Sequence, residues 1–321
     1  MTDILYRSAF ALAADIKAQV LSSREVLEFF LDRVDRFNPE LNAVIVLDLE
    51  RARARADEAD AAAQAGEDWG PLHGVPITIK DAFCTEGLVT VGGIPECRDH
   101  TPSANALAVQ KYLDAGAIIF GKTNVPFMSA DLQSYNEVYG TTNNPWNQER
   151  TCGGSSGGAA AAVAAGLTPL ELGSDIGGSI RTPSHFNGVF GHKSSYGIVS
   201  SRGHLPPGEQ TLSESDLSVV GPIGTCIDDL EQALQLLAAP APEEAVAYRI
   251  ELPAARTEQV SELRIAVWAD DEFCPVDSEI KDAIIRNNED SIGIDIEGPY
   301  RLRAVTEGVT ATTNITLYAN Q

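Results

Sequence analysis

Two serines of this chain lie in glycine-rich segments that could present a hydroxyl group for chemistry. Ser155 lies in the sequence GGSSGG at 153–158, and Ser179 lies in the sequence GSDIGGSIR at 173–181. A serine hydroxyl is a poor nucleophile until a neighbouring group takes its proton, so a hydrolytic function also requires a base. The question that the sequence poses is which side chain supplies that base.

Histidine is one candidate for the base. His185, His192 and His204 follow the second glycine-rich segment and could serve in a Ser-His arrangement. Neither a partner carboxylate nor a diagnostic spacing marks any of them, so a structural or surface role is the simpler interpretation of each.

Lysine is the other candidate, provided that its amine is desolvated enough for a neutral fraction to exist. Lys80 meets this condition best because it ends an apolar strand pattern. In contrast, Lys111 lies in a helical pattern and Lys17 in a polar N-terminal segment. A solvated charge is the alternative for each of these lysines.

The second glycine-rich segment also offers backbone donors. The consecutive N–H groups of Gly177, Gly178 and Ser179 could stabilise the negative oxygen of a tetrahedral intermediate. Glycine-rich turns before helices bind phosphate as well. Neither of the two segments matches G-x-x-x-x-G-K-[ST] or G-x-G-x-x-G, which leaves nucleotide binding as the weaker alternative.

The elements that would position these residues alternate between strand and helix patterns. Val75, Ile77 and Ile79 alternate with polar or proline positions and predict a strand that ends at Lys80. Helices are predicted from a capping box at 22–25, over 103–116 and over the small residues 159–165, and a short apolar strand near 170–172 precedes Ser179. This alternation indicates an α/β fold.

Composition excludes several classes of function. A formal net charge of −23 argues against nucleic acid and anionic membrane surfaces as partners. The five cysteines are widely spaced without a C-x-x-C pair, which predicts thiols rather than zinc ligands, and Cys152 is a weak candidate nucleophile. No secretory pattern opens the chain and no apolar run is long enough for a membrane span, so we expect a cytoplasmic protein.

Three blocks together resemble the amidase-signature family. They are Gly74-Val75-Pro76 with Lys80-Asp81, the GGSSGG block and the GSDIGGSIR block, in the same order and spacing as in that family. The resemblance covers about residues 21 to 285. It implies an α/β fold with a central mixed twisted β-sheet and helices on both faces.

The same resemblance implies roles for individual residues. Ser179 would attack the amide carbonyl, Ser155 would follow a cis peptide bond and relay the proton, and Lys80 would accept it. The backbone N–H groups of Ile176, Gly177, Gly178 and Ser179 would form an oxyanion hole. The remaining implied roles are a pocket-lining residue, Ser129, and supports for the loops, Asp175 and Arg181.

The resemblance also implies how the chain is organised. We expect an N-terminal helical scaffold over 1–66, an amidase-signature core over 67–240 and a C-terminal segment over 241–321, which departs from the family after about residue 286 and so predicts a C-terminally incomplete fold. The predicted partner is a small-molecule amide, with a homodimer as a candidate assembly and no metal or organic cofactor. The alternative function is a glutamine-hydrolysing or non-catalytic subunit of a transamidation assembly.

Overall fold

The computed structural model describes residues 4–206, 208, 211–254, 272–273, 275–281, 295–296 and 302–303. The chain divides into two compact units, residues 1–251 and residues 252–321. The first unit contains every residue that the sequence nominates for chemistry. The alternation of Leu263, Ile265 and Val267 predicts a further strand, and the sequence after about residue 286 is β-like. The first of these segments and most of the second lie outside the described residues.

Helices and strands alternate through most of the first unit. Its helices are α1 (Ala9–Lys17), α2 (Ser23–Leu41), α3 (Leu49–Ala65), α4 (Leu107–Asp114), α5 (Gly157–Ala164), α6 (Arg181–Asn187) and α7 (Ile227–Leu237), with 3-10 turns at Pro95–Cys97 and Phe127–Ser129. Its strands are β1 (Val44–Leu47), β2 (Pro76–Lys80), β3 (Ile118–Thr123), β4 (Tyr135–Asn136), β5 (Gly140–Thr141), β6 (Leu170–Asp175), β7 (Phe190–Gly191) and β8 (Val219–Gly224). In the second unit, β9 (Asp295–Ile296) pairs antiparallel with β10 (Leu302–Arg303).

The first unit contains two three-stranded sheets, one with Lys80 on β2 and the other with Ser174 on β6. The first has the order β1-β3-β2, with β2 parallel and β1 antiparallel to β3. The second has the order β6-β8-β7 and is antiparallel throughout. The α/β class is therefore confirmed, whereas a single central sheet with helices on both faces stays a prediction, because strand pairing among the described residues gives separate sheets.

The two sheets are linked by side-chain hydrogen bonds between β2 or β3 and β6 or the residues just before it. The N–H of Thr78 donates to Thr168 Oγ1, and Thr123 Oγ1 donates to the buried carboxylate of Glu171. These contacts bring the end of β2 close to the end of β6. The side chains of Lys80 and Ser174, at those two ends, are consequently neighbours.

Several helix ends follow directly from the sequence. The capping box at α2 is present, since Glu25 N donates to Ser22 Oγ and Ser22 N donates to a Glu25 carboxylate oxygen. Pro39 in the sequence predicts the end of this helix, and that prediction is wrong. The helix continues to Leu41 and ends at Asn42 in the left-handed conformation, and Pro39 is tolerated in its last turn.

Two other helix starts differ from the prediction. Helix α4 begins at Leu107 rather than Ser103, because the N–H groups of Ala106 and Leu107 donate to the carbonyls of Cys84 and Arg202 instead of leading into a helical turn. For helix α7 the sequence predicts Thr225 as the N-cap, but the N-cap is Cys226, which makes no side-chain hydrogen bond to the helix.

Helix α5 packs in the interior and follows the first glycine-rich segment immediately. All eight of its residues are buried, and all are glycine, alanine or valine. A Cβ atom on Gly158 would lie 2.3 Å from the backbone nitrogen of Asn124, so this helix approaches the end of β3 more closely than a larger residue allows. The small residues thus fix the position of the loop that carries Ser155. Within the described ranges, no helix combines the length and apolarity that a membrane crossing requires.

Candidate active site

Lys80 is the last residue of β2, and its side chain is fully buried. Its Nζ atom lies 2.7 Å from Ser155 Oγ and 2.8 Å from Ser174 Oγ, and in its charged form the amine donates to both hydroxyls. A buried lysine without a paired carboxylate in direct contact is costly in its charged form. Hydroxyl groups can form hydrogen bonds with the amine in both its neutral and its charged form.

The electrostatics of Lys80 suit a base. Burial lowers the pKa of Lys80 to about 7, and the nearby carboxylates of Asp175 and Glu171 only partly oppose that shift. A lysine with a pKa near neutrality has a substantial uncharged fraction under ordinary conditions. The amine can therefore accept a proton where a surface lysine could not.

Ser155 lies in the turn before α5, and its preceding peptide bond, Gly154–Ser155, is cis, which confirms that element of the family resemblance. Ser134 Oγ donates to the Ser155 carbonyl at 3.2 Å and accepts from the Gly157 N–H at 2.9 Å. The neighbouring Ser156 N–H donates to the carbonyl of Ser179 at 3.0 Å. The bonds from Ser134 thus fix the first glycine-rich segment, and the bond from Ser156 joins it to the second.

Ser179 lies between β6 and α6 and lines the same pocket as Ser155. The pocket has a volume of about 130 Å³ and is formed by a set of mostly polar residues: Met128, Ser129, Ser155, Ser174, Asp175, Ile176, Ser179, His204, Pro206, Ser215 and Ser218. Ser179 is 6% exposed and Ser155 is 1% exposed. Ser179 is thus the more exposed of these two residues, and Ser155 both contacts the buried amine of Lys80 and lines the pocket.

Asp175 and Arg181 hold the segment around Ser179. The Asp175 carboxylate accepts hydrogen bonds from the N–H groups of Gly178, Ile180 and Arg181 and from the Arg181 guanidinium at 2.9 and 3.0 Å. Burial opposes ionisation, yet the bonds from Arg181 and the backbone lower the pKa of Asp175 to about 2. The Asp175 carboxylate therefore remains charged, and the loop residues 178–181 fold around it through these hydrogen bonds.

The backbone donors of this loop divide into two groups. The N–H of Gly178 donates to Asp175 at 2.8 Å and is engaged within the loop. Among the described residues, no acceptor takes a hydrogen bond from the N–H groups of Ile176, Gly177 or Ser179. Three of the four predicted oxyanion donors are consequently available to a ligand.

Ser129 lines the pocket from the opposite side, at the end of the 3-10 turn that follows β3. Both Met128 and Ser129 have left-handed backbone conformations, with φ of 54° and 56°. The Ser129 hydroxyl is buried, and the described residues offer it no hydrogen-bond partner. A substrate group in the pocket could supply that partner.

Sequence reasoning missed the contact between Ser174 and His204 at the pocket. Ser174 Oγ lies 2.8 Å from His204 Nε2, and both residues line the pocket. His204 is buried, so of the two roles expected for it a surface position is excluded and a structural one is not. Ser174 lies within one of the glycine-rich blocks, two residues from Leu172 on the same face of β6, which is a signal that could have paired it with the lysine. No pattern in the sequence identifies His204.

The remaining candidates lie apart from this cluster. Cys152 is fully buried, and burial raises the pKa of its thiol to about 12, so it is no thiolate nucleophile. His185 is exposed on α6, Lys111 is on α4, and Lys17 pairs with Asp68 at the surface. None of the four cysteines in the described residues forms a disulfide.

Comparison with known proteins identifies a family that this chain matches. The family model described as Amidase matches residues 25–290. A glutamyl-tRNA(Gln) amidotransferase subunit from Synechococcus sp. (strain CC9902) is 40% identical over 233 residues, which are 73% of this chain and 46% of that protein. Fatty-acid amide hydrolase 2-A from Danio rerio is 38% identical over 248 residues, which are 75% of this chain and 46% of that protein.

A solved structure shares the fold as well. The structure of 6-aminohexanoate cyclic dimer hydrolase matches with a TM-score of 0.77 and 29% identity, over 90% of this chain and 59% of that one. The chain spans about half the length of the curated relatives that it matches.

Proposed function

We propose that this chain, which belongs to the amidase-signature family, hydrolyses a carboxylic acid amide through an acyl-enzyme on Ser179. Amide hydrolysis is the activity that the family and relatives support. The observation that carries the finer proposal is the buried Lys80 amine, hydrogen-bonded to Ser155 at the floor of the pocket that Ser179 lines.

The proton path would start at Ser179. As its Oγ forms a bond to the amide carbonyl carbon, its proton moves to Ser155 Oγ, and the Ser155 proton moves to the neutral amine of Lys80. The same path in reverse delivers a proton to the leaving nitrogen, which departs as a neutral amine or ammonia. Water then attacks the acyl-enzyme and gives up its proton along that path, which releases the acid and restores Ser179.

The carbonyl oxygen becomes negatively charged in each step. We assign its stabilisation to the N–H groups of Ile176, Gly177 and Ser179, because these donors have no partner among the described residues. Gly178 would support the loop in this role through its bond to Asp175, and would donate to substrate only if that bond opened. The proposed mechanism uses no metal ion or organic cofactor.

Asp175 and Arg181 would act on the geometry of the loop rather than on the substrate. Five hydrogen bonds to a single carboxylate fix the turn that presents Ser179. Ser129 would contact the substrate, since this residue lines the pocket and its buried hydroxyl has no protein partner among the described residues. The substrate that fits is a small amide with a polar group near the reacting carbonyl.

The finer features of the fold belong to the same proposal. We propose that β2 and β6 belong to one central mixed sheet, on the basis of the side-chain bonds that connect them. The N-terminal scaffold, core and C-terminal boundaries at 66 and 240 stay predictions, as do a C-terminally incomplete fold and a homodimer.

A glutamine-hydrolysing component of a transamidation assembly is the second candidate. It is favoured by the 40% identity to the glutamyl-tRNA(Gln) amidotransferase subunit. In sequence, the segments 203–208 and 215–218 resemble general amidases more closely than glutamine-specific components. Four of their residues line the pocket: His204, Pro206, Ser215 and Ser218. We therefore place the general amidase first.

A hydrolysis screen separates these candidates. The chain and its Ser179→Ala variant are compared on glutamine, short aliphatic amides, aryl amides and long acyl amides, with release of amine or ammonia as the measurement. Turnover of an aliphatic or aryl amide that Ser179→Ala abolishes supports the general amidase, and turnover confined to glutamine supports the transamidation component. Turnover that persists in Ser179→Ala would refute the proposal.

A further inference from the structure

We infer that His204 is a positioning residue that acts through Ser174 to set the direction of the hydrogen bonds around Lys80. This inference rests on the proposed role of Lys80 as the base. The three side chains form a continuous line from His204 Nε2 to Ser174 Oγ and on to Lys80 Nζ, with each step 2.8 Å long.

The donor-to-acceptor direction of these hydrogen bonds is fixed at His204. His204 Nδ1 lies 3.0 Å from the carbonyl oxygen of Pro206. A carbonyl oxygen can only accept, so Nδ1 must carry the hydrogen, and a neutral ring then has a bare Nε2. Nε2 can only accept, and the partner 2.8 Å away is the hydroxyl of Ser174. The Ser174 hydrogen is therefore directed to His204.

This direction decides what Lys80 can do. With its hydrogen on His204, Ser174 presents only lone pairs to the amine, and Lys80 donates to it. A neutral amine has two N–H bonds and one lone pair. Once one N–H is directed to Ser174, the lone pair can face the Ser155 hydroxyl, which is 2.7 Å away.

Without His204, the Ser174 hydroxyl could rotate. Its hydrogen would then be able to donate to the Lys80 lone pair in competition with Ser155, because both hydroxyls are within hydrogen-bonding distance of Nζ. A base whose lone pair is already occupied accepts a proton more slowly. His204 thus keeps the lone pair of Lys80 Nζ available to accept the proton of Ser155.

The ring of His204 is held firmly enough for this role. It packs edge-to-face on Phe83, with the ring centroids 5.0 Å apart and an interplanar angle of 89°. The next residue, Leu205, donates its N–H to Ala82 O at 2.7 Å. Burial, together with the charge of Lys80, lowers the pKa of His204 to about 4, so the ring stays neutral where Lys80 titrates.

The first test reads the tautomer directly and needs no catalysis. The 15N-labelled full chain is examined by long-range 1H–15N correlation of the histidine rings at neutral pH. His73 is a control within the same molecule: Trp69 N–H donates to its Nδ1, so its hydrogen lies on Nε2 and points to Ala59 O. We expect the Nδ1–H form for His204 and the Nε2–H form for His73. An Nε2–H or charged His204 would overturn the inference.

The second test reads the consequence for reactivity. His204→Asn retains a donor for Pro206 O but is too short to reach Ser174, whereas the carbonyl of His204→Gln can reach the hydroxyl. We expect the rate of Ser179 labelling by a fluorophosphonate to fall about 10- to 100-fold in His204→Asn and to be largely restored in His204→Gln. His73→Leu, which removes a buried histidine elsewhere, should leave the rate unchanged.

A double-variant cycle separates positioning from packing. If His204 acts through Ser174, His204→Asn should have no further effect on the labelling rate in a Ser174→Ala background. Multiplied effects, or a wild-type rate in His204→Asn, would contradict the inference, and thermal unfolding confirms that each variant is folded. A wild-type chain that is not labelled would refute the proposed function instead, while the tautomer experiment would still decide the geometry at His204.

Discussion

The Nζ atom of Lys80 lies 2.7 Å from the Oγ atom of Ser155, although 75 positions separate the two residues in the chain. Both side chains are buried, and the amine approaches no carboxylate closely enough to form an ion pair within the described residues. A contact of this kind stabilises a fold poorly, because a buried amine costs more than two hydroxyl partners return. It is the geometry that the proposed proton path requires of its base.

The pH dependence follows from the direction of the Lys80 shift. Burial lowers the pKa of Lys80 to about 7, and only the neutral amine accepts a proton, so the rate of Ser179 acylation should rise with pH and level off above about 8. The measurement is the labelling or hydrolysis rate between about pH 5 and about pH 9. A rate that is flat or falls with pH would exclude the lysine base.

Glu171 needs a separate control, since burial also raises its pKa to about 7. Its negative charge favours the protonated form of Lys80. In Glu171→Gln, the rise in rate should therefore persist and its midpoint should move to lower pH. Loss of the rise in this variant would assign the titration to the carboxyl group rather than the amine.

Replacement of the base should abolish reactivity without unfolding the chain. Lys80→Met preserves most of the buried volume and removes the amine, and we expect the acylation rate to fall by about 100- to 10,000-fold. Lys111→Met on helix α4 is the matched control and should react like the unaltered chain. Rates measured on folded protein that are equal in the two variants would remove Lys80 from the mechanism.

The loop around Asp175 should be sensitive to the loss of its charge. Asp175→Asn cannot accept from the Arg181 guanidinium and three backbone donors equally well, so Ser179 should lose its fixed position and the acylation rate should drop by about 10-fold or more. Asp57→Asn, which alters an exposed pair with Arg24, should change neither rate nor melting temperature appreciably. The opposite ranking of these two variants would show that the loop does not depend on its carboxylate.

A helix cap remote from the site provides a prediction for stability alone. Ser22→Ala removes one half of the capping box of α2 and should lower the free energy of unfolding by about 1 kcal/mol. Chemical denaturation measures this change, and the labelling rate should stay constant. A reduced labelling rate in the folded variant would mean that α2 communicates with the pocket in a way that its contacts do not indicate.

Local patterns predicted the elements that carry the serines and the lysine. The alternation before Lys80 gave β2, the capping box gave the start of α2, and the glycine-rich segments lie at the turns where they were expected. These features depend on neighbours within a few residues, which is why a single sequence contains them. The burial of Lys80 was one of two open alternatives, because alternation places it on the face of the strand opposite to the apolar residues, and only tertiary packing buries that face as well.

The partners across the chain were not foreseeable in the same way. Ser174 and His204 meet because β6 and the segment after α6 converge on one pocket, and no local pattern records that approach. The same holds for Gly178, whose N–H was expected to bind substrate and instead bonds to Asp175. Competition for a donor is decided by tertiary placement, which spacing along the chain does not specify.

The measurement that tests the central claim most directly is mapping of a fluorophosphonate adduct by peptide mass spectrometry in the unaltered chain, Ser179→Ala and Lys80→Met. The proton path from Ser179 through Ser155 to Lys80 predicts an adduct on Ser179, none in Ser179→Ala, and labelling slowed by about 100-fold or more in Lys80→Met. An adduct on Ser155, or on Ser179 at an unchanged rate without the lysine, would contradict it.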